Sequence, residues 1–111
     1  MKFVDTVPLD EITRFCRRWQ IRELALFGSA IRDDFHAGSD IDILITYDPA
    51  SNWGLFEHAQ MKNELETLFA RKIDLVTRRA LEQTQNILLR SRILSTAQVI
   101  FSEGETSHAP G

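Results

Sequence analysis

The segment 40–46, Asp-Ile-Asp-Ile-Leu-Ile-Thr, constrains the fold most, because apolar and polar side chains alternate along most of it. In a β-strand, successive side chains point to opposite faces of the sheet. Three isoleucines would therefore share one buried face, while Asp40 and Asp42 would project together from the other. Such a strand needs neighbouring strands and a covering layer, so it predicts a sheet-containing domain with acidic groups at one rim.

A second apolar segment ends at a turn that precedes this strand. Residues 24–27, Leu-Ala-Leu-Phe, predict a short buried strand that ends at Gly28-Ser29, and ten residues separate Ser29 from Asp40. A Gly-Ser turn lets backbone N–H groups approach phosphate oxygens, and a short helix over 30–35 would add helix-end donors. The spacing therefore predicts a phosphate-binding turn beside a carboxylate-bearing strand.

The rest of the chain predicts an α/β (α+β) fold, with helices packed on a sheet. Apolar residues at helical spacing give the buried faces of the helices. Cys16 lies on the stripe of the first helix, where core packing is more plausible than a nucleophilic role. The remaining predicted elements are a helix from Pro8 with the stripe Ile12, Phe15, Cys16 and Trp19; a helix over 54–70 with Leu55, Ala59, Leu65, Leu68 and Phe69 near one side; a strand over 72–77; a helix over 79–96 with Leu81, Ile87, Leu88, Ile93 and Leu94 as apolar markers; and a strand over 97–101.

Size and composition narrow the functional classes. The 111 residues suit one domain, expected over 1–101, with 102–111 as a flexible C-terminal tail. No apolar run spans a membrane, the start lacks a signal-peptide pattern, and a single cysteine suits the cytoplasm. The net charge is −3 and the basic residues are scattered, Arg90 and Arg92 among them. Direct nucleic-acid binding is therefore not expected, because such proteins usually show a basic surface.

A third acid, Asp74, lies in the predicted strand 72–77 between Ile73 and Leu75. An acid in an apolar strand is costly unless it meets solvent or a cation. Two carboxylates about 4 Å apart repel by roughly 4 kcal/mol at an effective dielectric near 20, so three converging acids favour bound cations. We therefore expect Asp40, Asp42 and Asp74 to bind two Mg²⁺ ions. The alternative is a polar strand face in contact with water.

These residues also carry a family resemblance. The pattern Gly28-Ser29-x10-Asp40-x-Asp42 resembles the signature of nucleotidyltransferases of the DNA polymerase β superfamily. The chain most resembles the minimal nucleotidyltransferases, or MNT proteins, which are small single-domain prokaryotic members. The resemblance extends from about residue 24 to 101 and includes Ser-Ala-Ile-Arg at 29–32 and Arg-Lys-Ile-Asp-Leu-Val at 71–76.

The resemblance implies an α/β core with a mixed sheet, and a site that binds a nucleoside triphosphate and two Mg²⁺ ions. Gly28 and Ser29 would then hold the β and γ phosphates, and Asp40 and Asp42 would bind both metals. Asp74 would bind the metal that activates the attacking hydroxyl.

The resemblance leaves the role of Arg32 open. This residue matches a frequent basic position of the family and would reach a phosphate. It would otherwise be a surface arginine of a short helix.

The resemblance further implies a toxin–antitoxin pair. MNT proteins are commonly encoded beside a helical HEPN-domain partner, and the MNT antitoxin neutralises the HEPN ribonuclease toxin by binding it and by transferring AMP from ATP to a tyrosine hydroxyl (AMPylation). The alternative is an antitoxin that acts by contact only. A third possibility is nucleotide transfer to a small molecule, which would require an acceptor pocket that 111 residues hardly supply.

Overall fold

A computed structural model describes residues 6–31 and 40–103, which form a four-stranded sheet with helices on both faces. The helices are α1 (Leu9–Arg18), α2 (Leu55–Phe69), α3 (Arg78–Gln83) and α4 (Ile87–Thr96). The strands are β1 (Ile21–Phe27), β2 (Ile41–Tyr47), β3 (Ile73–Thr77) and β4 (Gln98–Ser102), and a 3₁₀ turn (Gly28–Ile31) follows β1.

The sheet is mixed, as the family resemblance implies. The strand order is β3-β2-β1-β4. Strand β2 runs parallel to β3 and antiparallel to β1, and β1 also pairs antiparallel with β4. The parallel pair is joined through α2, which provides the crossover that such a connection requires. The two central strands therefore each have a hydrogen-bonded neighbour on both sides.

One face of the sheet packs against α1 and α2. The three isoleucines of β2 lie on this face and are fully buried, as the alternation predicts. Met61 and Leu65 of α2 and Cys16 of α1 complete this part of the core. Burial raises the pKa of the Cys16 thiol to about 12, with a further contribution from the charge of Glu103. Cys16 is therefore a core residue, in agreement with its position on the apolar stripe.

The other face of the sheet is covered by α3 and α4. Ala25 and Phe27 of β1, Leu44 of β2, Leu81 of α3 and Ile93 of α4 form a second, smaller apolar cluster there. Asp42 lies two residues before Leu44, so it belongs to this face, just beyond the end of the apolar cluster. This second layer of helices therefore stops where the acidic part of β2 begins.

The predicted helix over 79–96 is wrong in one respect, because it is two helices. Thr84 has an extended backbone, and the side chain of Asn86 caps α4 by accepting a hydrogen bond from the Leu89 N–H at 3.0 Å. An asparagine at an N-cap replaces one of the missing helical acceptors, which explains the new start. The break turns Ile87 and Leu88 toward solvent, whereas the single-helix prediction used them as apolar markers.

The predicted apolar side of the 54–70 helix also needs correction. Leu55 is 90% exposed, although the sequence pattern placed it with Leu65, while Met61 is fully buried. Position 55 is the first residue of α2 and lies beyond the edge of the core, whereas Met61 and Leu65 are one turn apart on the side facing the sheet. Contact with the sheet, rather than local spacing, therefore decides which α2 side chains are buried.

Several boundaries differ from their predicted positions. Strand β1 begins at Ile21, three residues earlier than expected, because its first part pairs with the end of β2. Asp40 precedes β2 by one residue instead of opening it. The structure gives a 3₁₀ turn at the start of the predicted helix 30–35, and residues 32–35 lie outside the described part, as do residues 104–111 of the expected tail. Among the helices of the described residues, none is long and apolar enough to cross a membrane.

The two α2 side chains provide a test of this packing. We expect Met61→Ala to lower the free energy of unfolding by about 2–5 kcal/mol, because it leaves a cavity in the core. Leu55→Ala should change it by less than about 0.5 kcal/mol, since this side chain is exposed. Urea denaturation of both variants checks the register of α2, and equal losses would contradict it.

Candidate functional site

The candidate site is centred on Asp42, which lies on β2 between residues of both neighbouring strands. Asp42 pairs with Phe27 of β1 and with Asp74 of β3. Because β2 and β3 are parallel and in register, Asp42 and Asp74 project from the same face of adjacent strands, which lie about 4.7–4.9 Å apart. The topology therefore brings together two carboxylates that are 32 positions apart in the sequence.

Gly28 packs directly against the Asp42 carboxylate. Its φ is +68°, in the left-handed region, and a Cβ at this position would overlap Oδ2 of Asp42. Only glycine satisfies both conditions without strain. The backbone of the turn therefore lies against the acidic strand. A ligand bound beside Asp42 would be within reach of the backbone N–H groups of this turn.

Asp40 lies at the entrance of β2 and is exposed, as is Asp74. The N–H of Ile41 donates to the Lys72 carbonyl at 3.0 Å, so the start of β2 is fixed to β3 beside Asp40. Within residues 6–31 and 40–103, no three His, Cys, Asp or Glu side chains are close enough together to hold a metal ion. Asp42 and Asp74 are thus adjacent on the backbone, but the three acids do not form a closed ligand cluster.

Two further predicted phosphate contacts are Ser29 and Arg32. The backbone of Ser29 lies in the 3₁₀ turn directly after Gly28. Arg32, the predicted phosphate contact, lies outside the described residues.

A cleft of about 280 Å³ opens beside Asp42, between the 3₁₀ turn and α4. Gly28 and Asp42 lie at its polar end, and Arg92 of α4 contributes a cation. The sequence prediction missed Arg92 because one continuous helix over 79–96 gives no reason to place this residue over the β1–β2 end of the sheet. The apolar wall of the cleft consists of Phe27, Ile31, Leu89 and Ile93.

A larger cavity of about 570 Å³ lies near the other end of β2. Tyr47 Oη and His58 Nδ1 are 3.3 Å apart there, and burial together with the charge of Glu57 raises the pKa of Tyr47 to about 12. Trp53 lines this cavity but packs edge-on against Trp19 and donates its indole N–H to the Trp19 carbonyl. None of the three candidate aspartates lines this cavity, so it is separate from the Asp42 site.

The match to known families now defines the class of the chain. Residues 11–100 match the nucleotidyltransferase domain family, which covers most of the 111 residues. The chain belongs to this family. The match includes both strands that carry the candidate acids and the turn at Gly28.

Curated relatives are similar over somewhat more than half of the chain. One is protein adenylyltransferase MntA of Thermococcus cleftensis, 31% identical over 65 residues, which are 59% of this chain and 64% of that protein. Relatives from Methanocaldococcus jannaschii are 30–35% identical over 64–65 residues. The chain spans less than two thirds, 63–64%, of the length of these relatives.

Solved structures share the fold. A toxin–antitoxin crystal structure with AMP-PNP has a TM-score of 0.68 at 18% identity and covers 93% of this chain and 80% of that chain. A complex of tri-AMPylated Shewanella oneidensis HEPN toxin with MNT antitoxin has a TM-score of 0.59 at 16% identity, over 91% and 75%. A minimal nucleotidyltransferase structure reaches 0.66 at 26% identity, over 87% and 94%.

The contact between the turn and the acidic strand can be measured through stability. We expect Gly28→Ala to lower the free energy of unfolding by at least about 1–2 kcal/mol, the usual cost of a left-handed backbone for a residue with a Cβ. The overlap with Asp42 should add to this cost. In an Asp42→Ala background the same substitution should cost less, and an unchanged cost in a double-mutant cycle would contradict this packing.

Proposed function

We propose that this chain is a metal-dependent nucleotidyltransferase that transfers AMP from ATP to a hydroxyl group of a partner protein. The observation that carries the proposal is the in-register pairing of Asp42 with Asp74 beside the Gly28 turn. Membership in the nucleotidyltransferase domain family and similarity to protein adenylyltransferase MntA support it. A surface-exposed polar strand face alone would not require a glycine packed against one of the acids.

The chemistry of the three acids fits Mg²⁺. Magnesium prefers oxygen ligands and commonly uses one or two carboxylates together with substrate phosphates. Asp40, Asp42 and Asp74 would hold two ions, which would neutralise charge on the triphosphate. Bound cations would also offset the repulsion between the carboxylates, which is roughly 4 kcal/mol for a pair about 4 Å apart at an effective dielectric near 20.

The chain's own residues would bind and orient the two reactants. The backbone of the Gly28–Ile31 turn faces the polar end of the cleft, where its N–H groups would donate to phosphate oxygens. The acceptor hydroxyl oxygen then forms a bond to the α-phosphorus, the bond to pyrophosphate breaks, and the hydroxyl proton is released to solvent. This in-line transfer depends mainly on positioning and charge stabilisation, since the protein forms no covalent bond.

We further propose that the partner is a HEPN ribonuclease toxin and that this chain is its antitoxin. The fold similarity to an MNT antitoxin in complex with an AMPylated HEPN toxin supports this assignment. The candidate acids lie at an exposed rim, since Asp40 and Asp74 are both exposed. An exposed rim suits an acceptor hydroxyl presented on the surface of another protein.

Transfer of labelled AMP is the direct test. The chain, Mg²⁺ and ATP labelled at the α-phosphate are incubated with the proposed HEPN partner protein, and label on that protein is measured. We expect Asp42→Asn to reduce the rate roughly 10²–10³-fold, because metal-assisted charge stabilisation is worth several kcal/mol and each 1.36 kcal/mol is a factor of ten.

The matched control is Asp10→Asn, an exposed acid in the first turn of α1. It removes the same charge from a helix on the opposite face of the sheet and should leave the transfer rate unchanged. Circular dichroism of both variants checks that they are folded. Full label transfer by Asp42→Asn would overturn the catalytic proposal.

Neutralisation in cells separates catalysis from binding by contact. The double variant Asp40→Asn, Asp42→Asn is expressed with the toxin, and growth is compared with that of the unmodified pair. We expect growth to fail, because the variant can still dock but cannot modify the toxin. Complete rescue of growth would instead favour an antitoxin that acts by contact only.

A further inference from the structure

An arginine side chain lies in the cleft beside Asp42. Arg92 lines this cleft together with Gly28 and Asp42. Its helix, α4, presents one continuous face to the cleft, because residues at helical spacing of three and four positions share a side. These residues are Leu89, Arg92, Ile93 and Thr96.

The position of Arg92 is fixed by its helix. Ile93, the next residue, is buried in the apolar cluster that joins α4 to the sheet. The hydroxyl groups of Ser95 and Thr96 donate to the Arg92 carbonyl, at 3.2 and 2.7 Å. The backbone that carries the guanidinium is therefore anchored at the cleft, while the side chain itself is exposed.

The guanidinium of Arg92 is available to a ligand. Within residues 6–31 and 40–103, it makes no hydrogen bond or ion pair with another side chain or with the backbone. Arg90, two positions earlier on the same helix, differs in this respect, because its Nη1 donates to the Glu82 carbonyl at 3.1 Å. Arg90 stabilises the contact between α3 and α4, whereas Arg92 lines the cleft.

The chemistry of the cleft matches a nucleoside triphosphate. Its polar end combines the backbone of the glycine turn with a guanidinium, the side chain that best matches phosphate geometry because it donates two parallel hydrogen bonds. Its remaining walls are apolar and suit a sugar and base. The carboxylate of Asp42 alone would repel phosphates, so a fixed cation on the opposite wall offsets part of this repulsion.

We propose that Arg92 binds the triphosphate of the nucleotide and that α4 forms the second wall of the nucleotide site. This assignment rests on the proposed function, because it names a further residue of the same site. It also gives α4 a role that the sequence pattern did not indicate. Arg92 contacts the phosphates, and the apolar residues on the same face of α4 contact the rest of the nucleotide.

Calorimetric titration with Mg²⁺ and the non-hydrolysable analogue AMP-PNP tests this assignment. We expect Arg92→Gln to raise the dissociation constant about 10- to 100-fold, since a hydrogen bond to a charged group is worth about 1.5–3 kcal/mol. Arg92→Lys should lose less, because it keeps the charge but not the two-pronged geometry. Arg90→Gln is the matched control on the same helix and should bind as the unmodified chain does.

Inorganic tripolyphosphate identifies the part of the nucleotide that Arg92 contacts. With Mg²⁺, tripolyphosphate should displace AMP-PNP from the unmodified chain. Arg92→Gln should raise the dissociation constant of tripolyphosphate by the same factor as that of AMP-PNP. A loss confined to AMP-PNP, or no displacement by tripolyphosphate, would overturn a phosphate contact. Unchanged AMP-PNP binding in Arg92→Gln would overturn the role of Arg92, whereas no binding by the unmodified chain would overturn the proposed function itself.

Discussion

The in-register parallel pairing of β2 and β3 is the constraint on which the rest of the site depends. It places Asp42 beside Asp74, and the same strand pairs with β1 on its other edge, which brings Gly28 against Asp42. A shift of one residue in either pairing would move an acid to the opposite face. The buried isoleucines of β2 prevent such a shift, because each would then leave the core. Apolar burial on one face of the sheet thus fixes the acidic geometry on the other.

A second constraint on the site is the electrostatic repulsion between its acids. Adjacent carboxylates repel, and the part of the chain that the structure describes brings no three potential ligands together around a metal position. Asp42 and Asp74 are nevertheless neighbours on adjacent strands, so rotation of their side chains is enough to bring the two carboxylates closer together. Binding of cations and a triphosphate would then supply the missing attraction, so we infer that ligand and metal binding are coupled. Such coupling is a common solution where carboxylates and phosphates share a site.

Local sequence patterns predicted much of the fold but not every packing contact. The alternation over 40–46 predicted the buried face of β2, whereas the mixed sheet was implied by the family resemblance. By contrast, the helical spacing in 54–70 selected Leu55 and overlooked Met61, because only the position of the sheet decides which side is covered. For the candidate site, the sequence placed Asp42 and Asp74 on separate strands but could not give their register. That register depends on hydrogen bonds between strands distant in the chain.

The break between α3 and α4 explains why the sequence overlooked Arg92. A continuous helix over 79–96 would carry its apolar markers along one line, and Arg92 would be one of several surface cations. The Asn86 cap starts a new helix whose own axis is set by the burial of Ile93 against the sheet. This start and axis place Arg92 at the cleft. Leu89, which is 45% exposed, lines the same cleft. The position of Arg92 at the cleft therefore depends on where α4 begins, and this consequence becomes visible only when the helix is packed on the sheet.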